Sequence, residues 1–284
     1  MFAASNSKQT IQQIRESVDG SMLRMPVLNG AQAEAFDAEG VTGDWVSMPG
    51  VAADRVLLYF HGGGYVMGSA RTHRDLAARF SQAAGVRVLA PNYRLAPENP
   101  YPAALEDAKT VYRWLLARGF KPEHIAFAGD SAGGNLAIVA LLALRDAGVA
   151  LPAAAILLSP WTDLTLSGES VKTRAEVDPM IKLGESSEQF AYYVGDHDLT
   201  SPLISPVFAD LHGLPPLLIH VGNDEVILDD STRLAERAQA AGVEVKLKVW
   251  EGMWHVFQSL AAMLPEGRES IDELGAFVKR QVGL

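Results

Sequence analysis

Apolar residues fall into two rhythms along this chain. Short unbroken runs such as Val56-Leu57-Leu58-Tyr59-Phe60 read as strands covered on both faces. Longer stretches carry apolar residues at helical spacing, as at Ile11, Ile14 and Val18, which predict a helix over Lys8–Val18. Strands are predicted at Val41–Met48, Arg55–Phe60, Val86–Ala90, His124–Ala128, Ala153–Leu158, Leu217–Val221 and Val245–Val249. Helices are predicted at Thr72–Ala84, Pro102–Arg118, Ala132–Asp146, Asp229–Ala241 and Arg268–Val282, with a proline-bearing loop at Pro91–Pro100. The alternation breaks over Trp161–Leu214, which is polar, rich in Pro and Gly, and has only weak helical patterns near Gly168–Val177 and Glu185–Val194. That stretch reads as an insertion over the sheet. Strand–helix alternation predicts an α/β fold with a parallel sheet wound on both faces. In such sheets the chemistry lies beyond the carboxyl ends of the strands, so a functional motif is expected just after a strand.

Composition narrows the function classes. The 284 residues are 48% hydrophobic, enough for one sizeable core, and no repeat is visible. A net charge of −10 argues against a nucleic-acid partner, which would need a basic face to replace counterions. No polybasic stretch suits an anionic membrane, and no apolar run approaches the roughly 18–20 residues of a membrane span. The absence of cysteine excludes disulfides, iron–sulfur clusters and a thiol nucleophile. The opening MFAASNSKQT has no cationic start followed by an apolar stretch, so the expectation is a soluble, cytoplasmic protein.

Gly129-Asp130-Ser131-Ala132-Gly133 matches G-x-S-x-G, follows a strand and opens a helix. In that context a serine hydroxyl is exposed on a tight turn, and the next N–H sits at a helix start, where it can bind an oxyanion. The simpler alternative is a glycine-rich loop with a capping serine. His61-Gly62-Gly63-Gly64 also follows a strand. Consecutive glycines let backbone N–H groups face a ligand, and acyl transfer needs fixed donors for its tetrahedral oxyanion.

A serine nucleophile needs a base. His73, His124, His197 and His212 read as surface or packing residues, His220 as a core residue, and His61 as a residue shaping the glycine loop. His255 follows the strand Val245–Val249 and comes last in the order serine, acid, histidine, so it is the candidate base. The acid belongs after Leu217–Val221, where Asp224, Glu225, Asp229 and Asp230 stand. Asp229 and Asp230 are placed to cap the following helix. Asp224 and Glu225 are left, and spacing does not separate them.

HGGGYVMGS (61–69), NYRLAPENPYPAALED (92–107), GDSAGGNLA (129–137), SPWTDL (159–164) and EGMWHVF (251–257) together resemble the hormone-sensitive-lipase branch of the α/β-hydrolases, the bacterial family IV esterases. The resemblance covers nearly the whole chain. It implies a single α/β-hydrolase domain with a mostly parallel eight-stranded sheet and a helical cap formed by about 1–28 and 161–214. It implies carboxylic-ester hydrolysis with no metal and no organic cofactor, on a small-molecule ester. Carried over, Ser131 is the nucleophile, His255 the base, and Gly63, Gly64 and Ala132 the oxyanion donors. The family pattern Asp-Pro-Leu-x-Asp departs here to Glu225-Val226-Ile227-Leu228-Asp229, which favours Glu225 as the acid with Asp224 as the fallback.

Two other functions use the same frame: an amidase such as an arylformamidase, and a non-catalytic binding module, against which His255 in its motif argues. The modest insertion points to short acyl chains. Phe190, Tyr192 and Tyr193 could line an acyl pocket, although such a stripe is more often the underside of a packed helix. The last strand, Val245–Trp250, either pairs with a second copy in a homodimer or is guarded at its edge by Lys246 and Lys248.

Overall fold

The computed structural model describes residues 10–182 and 191–284. Eight strands form one sheet: β1 Gln32–Ala38, β2 Val41–Ser47, β3 Ala52–Phe60, β4 Val86–Pro91, β5 Ile125–Asp130, β6 Ala154–Leu158, β7 Leu217–Gly222 and β8 Val245–Trp250. Their order is β1-β2-β4-β3-β5-β6-β7-β8. β1 and β2 form an antiparallel hairpin, β2 runs antiparallel to β4, and every other pairing is parallel. The hairpin strand β1 is not among the strands read from the sequence. Gln32-Ala33-Glu34-Ala35 has low strand propensity and is exposed; only Phe36 and Ala38 are buried.

Seven α-helices lie wholly within the described residues: α1 Ile11–Met22, α2 Arg74–Ala84, α3 Ala103–Ala117, α4 Ala132–Asp146, the single turn α5 Ser170–Thr173, α6 Leu228–Ala240 and α7 Pro265–Gln281. The weak pattern near 168–177 is thus only that turn, and of the pattern near 185–194 only 191–194 lie within the described residues and are helical. Strand alternation divides the core. Val56, Leu58 and Phe60 face α3, α4 and α6, while Leu57 and Tyr59 face α2 and α7. Residues of α4 are apolar almost all round because it is buried on nearly every side.

α1 is held differently. It buries no residue fully; Thr10 and Gln13 close its first turn as a capping box. Arg15 then anchors it, donating to the Val66 and Ala96 carbonyls at 2.6 and 2.7 Å and to Glu98.

The register decides where loops emerge. Phe60 lies opposite Gly129, Gly129 opposite Leu157, Leu158 opposite His220, and Gly222 opposite Trp250. The parallel strands therefore end together, and the loops after β3, β5, β6, β7 and β8 share one edge. The chain reverses its winding between β3 and β5, so the glycine loop and the serine turn leave adjacent strands at the switch point.

His220 in β7 bonds Ser270 of α7 through Nδ1 at 2.8 Å. Burial first, and the Lys248 charge second, push its pKa down to about 3. It is neutral in the fold but takes a proton in the unfolded chain below pH about 6.5. Unfolding free energy is therefore expected to fall as pH drops from 6.5 toward 3, at up to ~1.4 kcal/mol per pH unit from this group. Urea titrations across that range should show a shallower slope in His220→Gln.

Candidate active site

Ser131 stands between β5 and α4 with φ 54° and ψ −120°, a region that non-glycine residues occupy only under strain. The turn is tight because β5 and α4 both pack against β3. A Cβ on Gly133 would collide with the Phe60 carbonyl, so only glycine admits this approach. Ser131 donates its amide to the Leu158 carbonyl at 2.9 Å, and the hydroxyl-bearing side chain is turned to the cavity. Ala132 is buried as the first residue of α4, where a backbone N–H has no partner within the helix.

The glycine loop leaves β3 beside this turn. Gly63 and Gly64 have φ of 116° and 60°, and the Gly63 carbonyl accepts from the Val66 and Met67 amides at 3.0 and 3.1 Å. His61 is buried, stacks on Tyr93 at 4.2 Å between ring centroids, and bonds the Gly62 carbonyl through Nδ1. Burial pushes its pKa down to about 3, so it shapes the loop as a neutral ring.

His255 bonds Glu225 Oε2 through Nδ1 at 2.8 Å. With that nitrogen donating, Nε2 is left as the acceptor. Of the two carboxylates that spacing left open, the structure brings Glu225 to the histidine. Asp224 is half-buried, and its amide donates to the Met253 carbonyl. Glu225 is wholly buried, and its other oxygen accepts from the Gly222 amide at 2.5 Å and the Ser159 hydroxyl at 2.6 Å. Ser159 Oγ in turn accepts from the Val256 amide at 3.2 Å, tying the loop after β6 to the loops that carry Glu225 and His255. Burial disfavours the His255 cation, but the Glu225 hydrogen bond and charge outweigh it and hold the pKa above its ordinary value.

Ser131, His255, Gly63 and Gly64 line one cavity of about 420 Å³. Val18 and Met22 of α1, Trp161, Leu166, Met180, Ile181 and Ile227 supply apolar wall. Of the aromatic candidates, Tyr192 and Tyr193 do not. Tyr193 is buried and stacks on Tyr65 at 3.6 Å, Tyr192 is exposed, and Phe190 lies outside the described residues.

Several site residues escaped sequence reasoning. Asp229 and Asp230 do not cap α6; Asp229 accepts from the Ser170 amide, and Asp230 from the Thr162 and Asp163 amides, at 2.9, 2.6 and 2.7 Å. Both therefore hold the insertion down instead, because the loop's amides lie within reach of the first turn of α6. His73, read as surface or packing, is buried, precedes α2, lines the cavity and lies 3.5 Å from Asp130. Asp178 is buried, accepts from the Met180, Ile181 and Val226 amides, and so pins cavity wall beside Glu225. Ser159 carried a signal in the SPW motif, whereas Asp178 carried none. His124, His197 and His212 lie away from the cavity. Among the described residues no group of three or more His, Asp or Glu is placed to hold a metal ion.

A family model described as the alpha/beta hydrolase fold matches residues 57–259. The chain belongs to the α/β-hydrolase family. It is 46% identical over 242 residues to an acetyl-hydrolase of Streptomyces hygroscopicus, covering 85% of this chain and 81% of that protein. The crystal structure of an esterase from the bacterial hormone-sensitive lipase family superposes with a TM-score of 0.95 at 46% identity, over 98% of this chain and 94% of that one. The esterase EstE5, in a crystal soaked with p-nitrophenyl butyrate, superposes with a TM-score of 0.95 at 43% identity, over 100% of this chain and 95% of that one. The branch suggested by the motifs is the one named for that hormone-sensitive lipase family esterase. No helix among the described residues is long and apolar enough to cross a membrane.

An NMR titration of the His255 ring should give a pKa above 6.5, because Glu225 favours the imidazolium. Glu225→Gln should bring it down. An unshifted value in the variant would mean that the hydrogen bond carries no charge effect.

Proposed function

We propose that this protein is a carboxylesterase acting on short-chain esters through a serine acyl-enzyme. The observation that carries the reading is the shared cavity in which a strained serine turn, a glycine loop and a carboxylate-bonded histidine meet. Esterase and acetyl-hydrolase relatives support it. In this reading Ser131 Oγ attacks the acyl carbon while His255 Nε2 takes its proton. Glu225 holds the imidazole in the tautomer that frees Nε2 and stabilises the cation that forms. The amides of Gly63, Gly64 and Ala132 receive the oxyanion. The C–O bond to the alcohol breaks, and His255 returns its proton to the leaving oxygen. Water then attacks the acyl-enzyme with His255 again as base, releasing the acid and restoring Ser131. No step draws on a metal or organic cofactor.

Of the segments expected to form a cap, about 1–28 and 161–214, residues 10–28, 161–182 and 191–214 are assigned to a cap over the carboxyl edge of the sheet; residues 1–9 and 183–190 lie outside the described residues. The side chains of Val18, Met22, Trp161, Leu166, Met180 and Ile181 in the cavity wall support this. A cavity of about 420 Å³ suits a short acyl chain and a modest alcohol better than a long-chain glyceride.

Ser131→Ala should abolish hydrolysis of p-nitrophenyl butyrate with the fold intact, and an organophosphonate should add its mass to the Ser131 peptide of the wild type. Full activity in the variant ends the serine-hydrolase reading, and failure to label points to a binding module. Glu225→Gln should lower kcat by on the order of 10⁴, whereas Asp224→Asn should stay near wild type. Because the reaction needs unprotonated His255, kcat/KM should rise with pH through that residue's raised pKa.

A graded panel of p-nitrophenyl esters and the matching anilides should peak at short acyl esters. Faster cleavage of long-chain triglyceride emulsions refutes the size argument, and faster cleavage of anilides favours an amidase.

A further inference from the structure

Asp130 is the variable residue of the G-x-S-x-G turn, yet it is buried to 4% exposure, accepts two hydrogen bonds and faces a histidine. Its Oδ1 accepts from the Tyr59 hydroxyl at 2.5 Å and from the Gly62 amide at 2.9 Å. Its Oδ2 lies 3.5 Å from His73 Nε2, whose ring is fixed on the other side by Thr72 Oγ1 and the Ser69 carbonyl near Nδ1. The fit leaves no slack: a Cβ on Gly62 would collide with Asp130 Oδ2.

We propose that Asp130 is a positioning residue that fixes the oxyanion loop relative to the nucleophile. The inference rests on the esterase reading above. One residue is covalently joined to Ser131 and hydrogen-bonded to the amide just before Gly63 and Gly64. It therefore sets the spacing between the attacking oxygen and the donors that must receive the oxyanion. Without such an anchor a run of three glycines has more conformational freedom than any other residues would give it. Stabilisation of the oxyanion depends on donors that are already in place, and a displacement of about 1 Å costs on the order of 10² in rate.

A carboxylate near an oxyanion site also carries an electrostatic cost, and His73 offsets it. Burial alone would favour the neutral forms of both groups. Their mutual attraction outweighs it, lowering the pKa of Asp130 and raising that of His73. Each group therefore favours the charged form of the other beside the loop. His61, Tyr59 and Tyr93 complete the surroundings, and Asp19 adds to the field at His73.

The geometry makes distinct demands on two substitutions. Asp130→Asn retains an oxygen at the Oδ1 position for Tyr59 and Gly62, and its NH₂ faces a His73 that is free to become a neutral acceptor. Asp130→Ala removes the anchor. The full-length protein is tested with p-nitrophenyl butyrate, with kcat expressed per site titrated by an organophosphonate so that misfolded protein does not count. The affinity for a trifluoromethyl ketone, whose adduct with serine places an oxyanion in the hole, is measured beside it.

Asp130→Ala should lose about 10- to 100-fold in kcat with little change in KM. Ketone affinity should fall by a similar factor, and Asp130→Asn should recover most of both. If Asp130→Ala does not fold, Tyr59→Phe, which removes one of the bonds to Oδ1, should show the same paired fall at about 3- to 10-fold. Unchanged kcat per site in the variant that folds overturns the proposal. So does a fall in kcat with ketone affinity intact. A wild type that neither turns over ester nor takes the label sinks the esterase reading itself, and this inference with it.

Discussion

A carboxylate cannot be buried without donors, and this fold meets the need with the amides and hydroxyls of neighbouring loops. Asp130 takes the Gly62 amide, Asp178 the amides of Met180, Ile181 and Val226, Glu225 the Gly222 amide and Ser159 hydroxyl, and Asp230 the amides of Thr162 and Asp163. Each of these acidic side chains therefore joins segments that the sheet alone would leave independent. Breaking one partner from such a group costs more than the hydrogen bond itself, because a buried acceptor is left unmet. The loops around the cavity are tied together by these bonds.

The same edge of the sheet stores backbone strain. Ser131, Ser159 and Val256 have φ of 54°, 47° and 50°, and each lies just after a strand, or in the loop leaving one. Conformations of this kind cost roughly 1–3 kcal/mol each. They persist where the surroundings leave no alternative: Ser131 between β5 and α4, Ser159 between β6 and the insertion, Val256 beside the histidine. What the strain secures is direction. It turns Ser131 to the cavity, Ser159 to Glu225, and His255 back across the sheet edge to the same carboxylate.

The two cavity walls are held by different means. On the sheet side, apolar burial and strand register place the serine turn and glycine loop. On the other side α1 buries nothing completely and depends on Arg15, whose guanidinium meets two backbone carbonyls and Glu98. Val18 and Met22 thus reach the cavity from a helix that is fastened by polar contacts and partial packing. Such an element opens locally at lower free energy than the strands beneath it.

The strands β2 to β8, the helices between them and the strand ends where the candidate site residues lie were legible from the chain alone. Apolar runs and helical spacing are local properties, and the turn chemistry of Gly129–Gly133 and His61–Gly64 is written in consecutive residues. β1 was not legible, because the only apolar residues of Gln32–Ala35 are exposed alanines of low strand propensity, and the segment is a strand by pairing with β2. The choice between Glu225 and Asp224 could be argued from motif register, but one residue of offset is decided by where the loop after β7 turns and by the donors at Gly222 and Ser159. The parts played by His73, Asp130, Asp178, Asp229 and Asp230 belong to the tertiary structure entirely. Each rests on a partner that is many positions away in sequence, and only the shared carboxyl edge of a parallel sheet brings the two within hydrogen-bond reach.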